Sequence, residues 1–255
     1  VKFHLRGLFQ ADGFSIVELM VAAVLLSLVV ASGLRFFTIQ HRAVVRQEDV
    51  AEVQQQLRSA MDMMTGEFMR IGSGVPPEAP GILGADPARI DFDGNLAGAS
   101  ARLSAGASAG DRRLYVYYLN RSGSFRSGKS VSLCRVGACE RHRLAEDGNG
   151  RSILLEAGLE GGFPSGSLLA VINRVSYEIK PAVGAGGFRL VRTVDGGANS
   201  VAEGIGSMSL EYLDRNGAVT EEPGKIRRIG VLLSAPLPRH PEIKRTIRSE
   251  VQLRN

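Results

Sequence analysis

Two hydrophobic periods divide this chain. Residues 16–34 are apolar or small at every position except Glu18, and a run of that kind has no polar face to turn toward water. At 1.5 Å per residue it makes a helix roughly 28 Å long, close to the hydrocarbon thickness of a bilayer. Farther along, Val50, Val53, Leu57, Met61, Met64, Phe68 and Ile71 recur at gaps of three and four, which places them on one face of an α-helix. Between them lie Glu52, Gln54, Gln55, Gln56, Arg58, Asp62, Glu67 and Arg70, so one face is wet and the other covers something. No proline precedes Pro76. The expectation is one helix from Phe14 to about Ile71, stopped by the glycines and prolines of "GSGVPP". A stripe this short, followed at once by a glycine-rich segment, suits a helix lying on a sheet better than a free coiled coil.

Past residue 72 the period shortens to two. Val175, Tyr177 and Ile179 alternate with Ser176, Glu178 and Lys180, the signature of a strand with one buried face. Strands are expected at "RLYVYYL" (113–119), "SVSLCR" (130–135), "SLLAVI" (167–172), "RVSYEIK" (174–180), "FRLVRTV" (188–194), "SMSLEYL" (207–213), "IRRIGVLLSA" (226–235) and "TIRSEVQLR" (246–254). Only four of the 31 glycines and none of the 10 prolines precede residue 72, so turns belong to the second part of the chain. Residues 73–110 read as an ordered, loop-rich connection with one strand-like piece, "ARIDFDG". "YLNRSG" (118–123) and "YLDRNG" (212–217) echo each other, each ending an aromatic strand in a turn. The fold class expected is α+β: one long N-terminal helix packed on an antiparallel β-sheet domain.

Composition narrows the function classes. A net charge of +5 would permit contact with anionic partners, but Lys and Arg are scattered rather than blocked, which argues against nucleic acid. His4, His41, His142 and His240 fall in no catalytic context, and the chain has no nucleophile elbow, zinc-protease helix, P-loop or dinucleotide fingerprint. No enzyme, cofactor, metal or small-molecule substrate is therefore expected. Cys134 and Cys139 enclose "RVGA"; outside the cytoplasm a disulfide is the default state, with free thiols and a metal site using His142 as alternatives, the latter short of a fourth ligand. Lys2 and Arg6 precede the apolar run, which by the positive-inside rule leaves residue 1 in the cytoplasm and the bulk of the chain across the membrane.

The string "GFSIVELMVA" (13–22) resembles the type IV prepilin signature. The resemblance implies cleavage by a prepilin peptidase between Gly13 and Phe14, N-methylation of Phe14, and a role for Glu18, fifth residue of the processed chain, in assembly. A lone carboxylate in a membrane helix is costly; an ammonium group on Phe14 would be its natural counter-ion, in the same subunit or in a neighbour. Arg35 stands where major pilins carry a helix-breaking proline.

"VAEVQQQLRSAMDMMTGEFMRIG" (50–72), the strands ending in "YLNRSG" and "YLDRNG", and the closing "SEVQLRN" are similar to minor pilins of the PilW/PulJ type. That resemblance implies a pilin-like organisation: leader 1–13, membrane and filament-core helix 14–39, amphipathic continuation 40–72, connection 73–110 and a β-rich periplasmic domain 111–255. It implies a subunit held in the inner membrane that joins other minor pilins and the major pilin to prime or cap a pilus. A type II secretion pseudopilin shares the N-terminus and is the alternative; a DNA-binding competence pilin is favoured only by the positive charge.

Overall fold

The structure, a computed structural model, describes residues 15–76, 79–182 and 187–253. The chain divides into two units, residues 1–49 and 50–255. Helix α1 (Ile16–Phe68) contributes to both. In the first unit residues 16–39 are solvent-exposed, and apolar or small apart from Glu18, Arg35 and Thr38. In the second, Val53, Leu57, Ala60, Met61, Met64 and Phe68 are buried, as the stripe spacing requires. The helix ends earlier than its hydrophobic period. Met69 N–H makes the last i→i−4 bond, to Thr65, and then Arg70 and Ile71 donate to Glu67 and Phe68. This tightening to i→i−3 and the left-handed Gly72 (φ 77°) turn the chain out of the helix while keeping Ile71 buried.

Thirteen strands follow among the described residues: β1 (Ile82–Asp86), β2 (Arg89–Gly94), β3 (Ser100–Leu103), β4 (Arg113–Asn120), β5 (Ser130–Arg135), β6 (Ala138–Arg143), β7 (Ser152–Leu154), β8 (Leu168–Pro181), β9 (Phe188–Val194), β10 (Gly197–Glu203), β11 (Ser207–Leu213), β12 (Arg228–Leu237) and β13 (His240–Gln252). All paired neighbours are antiparallel. β11, β12 and β13 form a three-stranded sheet and the other ten a larger one.

The architecture turns on β8. "SLLAVI" and "RVSYEIK" are one 14-residue strand rather than two, because Asn173 continues the extended backbone and only the pairing partners change. Leu169 and Ala170 lie between β3 and β5, whereas Tyr177 lies between Ile90 of β2 and Arg192 of β9. Each half of β8 serves its own core. Val175 and Tyr177 join the α1 stripe and the inner faces of β2, β9, β11 and β12. Leu169 and Val171 join Leu103, Leu114, Val116, Val131 and Leu133.

The 73–110 segment carries three strands, β1, β2 and β3, where one was expected. β1 and β3 are short and rich in Gly, Ala and Ser, residues with little β propensity of their own. β3 is held by its neighbours β4 and β8, and β1 by β2. The two "YL" echoes also part company. The first passes through left-handed Arg121 (φ 57°) into a 3₁₀ turn at Ser122–Ser124. The second closes on the Asp214 carboxylate, which accepts from Asn216 and Ala218 N–H at 2.8 and 2.9 Å.

Candidate functional site

Of the residues tied to processing, Gly13 and Phe14 lie outside the described residues. Glu18 occupies the first turn of α1 and is the only charged side chain among residues 15–34. Its neighbours Ile16, Val17 and Leu19 are all exposed. Among the described residues Glu18 makes no ion pair. The hydroxyls in this stretch bond back to their own helix: Ser27 to the Val24 carbonyl at 2.7 Å, Ser32 to Leu28 at 2.8 Å and Thr38 to Leu34 at 3.0 Å. These three hydroxyls thus do not depend on water, and the helix is long and apolar enough to cross a membrane.

The C-terminal end of α1 is fastened by chemistry that the sequence pattern did not single out. Glu67 accepts from the Tyr177 hydroxyl at 2.7 Å and from two Arg192 nitrogens at 2.9 and 2.5 Å. Burial, reinforced by the Glu67 carboxylate it donates to, pushes the Tyr177 phenol up, and Glu67 raises Arg192. Phe68 meets Phe92 and Tyr177 edge-on at 5.7 and 5.9 Å. The residues after the helix are then stitched along β2: Gly72 N–H donates to Asp93 and Asn95 N–H to Ser73, both at 2.9 Å. A Cβ at Gly94 would stand 2.4 Å from the Arg70 carbonyl oxygen, so this close approach needs glycine. The alternation of Val175, Tyr177 and Ile179 was the one signal for Tyr177; nothing local marks Glu67 or Arg192 as its partners.

Cys134 and Cys139 are disulfide-bonded. They pair directly across the β5–β6 hairpin, just inside a turn whose Gly137 is left-handed (φ 77°). Among the described residues no group of three or more His, Cys, Asp or Glu is placed to hold a metal. His142 Nε2 sits 2.8 Å from Glu140 Oε2. Burial opposes ionisation of Glu140, but the Glu160 N–H, His142 and the Gly161 N–H together outweigh it and hold the carboxyl below its ordinary value.

A cleft of about 630 Å³ lies where β8 changes partners. Buried Asp93 holds Arg141 at 2.7 Å and Arg174 at 3.2 Å, and Asp195 holds Lys129 at 2.5 Å, the Asn173 amide at 2.9 Å and the Arg174 N–H at 2.8 Å. Burial raises the Asp195 carboxyl, yet Lys129, Asn173 and the Arg174 N–H more than offset it and leave the group lowered. These ion pairs join β2, β6, β8 and the β9–β10 turn. No protein-family model matches the chain, and no curated protein matches it.

Proposed function

We propose that this chain is a type IV pilus minor pilin of the PilW/PulJ type. What carries the proposal is a single helix whose first part is apolar and exposed with one carboxylate, Glu18, at its start, and whose second part lays a buried stripe on an antiparallel sheet domain. In this function the prepilin peptidase cuts after Gly13, Phe14 becomes the methylated N-terminus, and the helix holds the subunit in the inner membrane with the sheet domain in the periplasm. Three residues lie between Phe14 and Glu18 in the sequence, so the carboxylate is near enough to neutralise the new ammonium group of its own chain or of a neighbour. The subunit then joins other minor pilins and the major pilin to prime or cap the filament. The sheet domain presents contacts to those neighbours and performs no catalysis.

The test is the amount of sheared surface pili in an in-frame deletion strain. Loss of pili, restored by the intact gene but not by a Gly13→Leu variant that the peptidase cannot process, is the expected result. Unchanged pili with lost protein secretion would instead identify a type II secretion pseudopilin.

A further inference from the structure

Three of the five tyrosines stand on one short strand and contribute nothing to either core: Tyr115, Tyr117 and Tyr118 are 56%, 60% and 71% exposed. Register explains why. Leu114 and Val116 of β4 are buried, so Arg113, Tyr115 and Tyr117 share its outward face. β3 pairs Leu103 with Val116 and Ala101 with Leu119, two steps along one strand against three along the other. The extra residue is a bulge that turns both Tyr117 and Tyr118 outward, and Arg102 faces it from β3. Leu168 of β8, 39% exposed, stands opposite Arg102.

Among the described residues none of the three phenol hydroxyls is hydrogen-bonded. The cations beside them are loosely held. Arg102 donates one nitrogen to the Gly166 carbonyl at 2.9 Å. Arg113 has Glu146 at 3.6 Å, with both side chains nearly half exposed, and such a pair exchanges readily for another anion.

We propose that this outward face of β3 and β4 binds single-stranded nucleic acid, with bases stacked on Tyr115, Tyr117 and Tyr118 and phosphates on Arg102 and Arg113. Tyr115 and Tyr117 stand two residues apart on the strand, about 6.8 Å, which leaves room for a planar group between their rings. Aromatic rings in series on an open sheet face, flanked by guanidinium groups, supply stacking and charge together. A duplex keeps its base faces stacked inside and offers the rings nothing. Scattered Lys and Arg by themselves argued against nucleic acid; the alignment of rings with two arginines on one face supplies what the net charge does not.

The experiment uses the full-length chain in non-ionic detergent and a fluorescein-labelled oligodeoxythymidine, read by anisotropy. Saturable binding is expected, weakened at least about tenfold in Tyr115→Ala/Tyr117→Ala, restored in Tyr115→Phe/Tyr117→Phe, and weakened in Arg102→Ala. Both rings are exposed, so the double variant should unfold at the parent temperature. Dextran sulfate, a polyanion without bases, should compete less well than unlabelled oligomer. Absence of saturable binding, binding retained by the double alanine variant, or equal displacement by dextran sulfate overturns the proposal.

Discussion

The Tyr177 hydroxyl donates to Glu67 Oε2 across 2.7 Å, joining the last turn of α1 to the middle of β8. Arg192, paired with Tyr177 across the sheet, closes the triad on the same carboxylate. Removing the acid strands a guanidinium and a phenol that are both largely enclosed. Glu67→Ala should lower stability by about 2 kcal/mol, the cost of breaking a buried pair discounted for partial exposure, and Tyr177→Phe by about 1 kcal/mol. Urea unfolding of the two variants and the parent measures both.

Backbone proximity makes Gly94 a sharper test of the same junction. Gly94→Ala drives a methyl group onto the Arg70 carbonyl, where neither backbone can yield cheaply, and should cost about 3 kcal/mol. Gly123, with nothing within 4 Å of its would-be Cβ, is the control; its alanine variant should stay within about 0.5 kcal/mol of the parent. Equal midpoints for the two variants would remove the close-approach account.

Acid should loosen the chain partly through Asp195. Its folded-state value is lowered, so its contribution is complete above the ordinary carboxylate value of about 3.9. It shrinks as pH falls toward the folded value and is gone below that. Asp195→Asn should therefore be less stable than the parent at neutral pH and should converge with it in acid. A constant gap in unfolding free energy from neutral to strongly acid pH would contradict this linkage.

The Cys134–Cys139 bridge closes a very small loop, so Cys134→Ser/Cys139→Ser should lose only about 2 kcal/mol. The change should be local. Amide exchange is expected to quicken across β5 and β6 while β11, β12 and β13 keep their protection.

For Glu18→Ala, the minor-pilin function leads to a split outcome. Processing after Gly13 should remain largely intact, read as the shorter band on an immunoblot, while sheared pili should fall. Normal pilus yield from this variant would rule out the counter-ion role.

Much of the fold was legible along the chain because the groups responsible are neighbours in sequence. The α1 stripe is spaced at three and four, and "SVSLCR", "FRLVRTV" and "SMSLEYL" match β5, β9 and β11 residue for residue. The turn at residues 195–197 is marked locally too, since Asp-Gly-Gly is a hairpin-turn sequence. β1 and β3 were not, because Gly, Ala and Ser carry no period strong enough to mark a strand; β1 is held by its hairpin neighbour β2, and β3 by β4 and by β8, which lies far along the chain.

By itself, then, the sequence determined the apolar run with its lone Glu18, the amphipathic stripe, the antiparallel character of the domain and the proximity of two cysteines, all properties of local spacing. The tertiary structure alone decided that β8 serves two cores, that Glu67 meets Tyr177 and Arg192, that Asp93 holds Arg141 and Arg174, and that a bulge turns Tyr117 and Tyr118 to the same side as Arg102. Each of these joins residues through strand register or chain reversal, and register is set by the packing of the whole sheet rather than by any one segment.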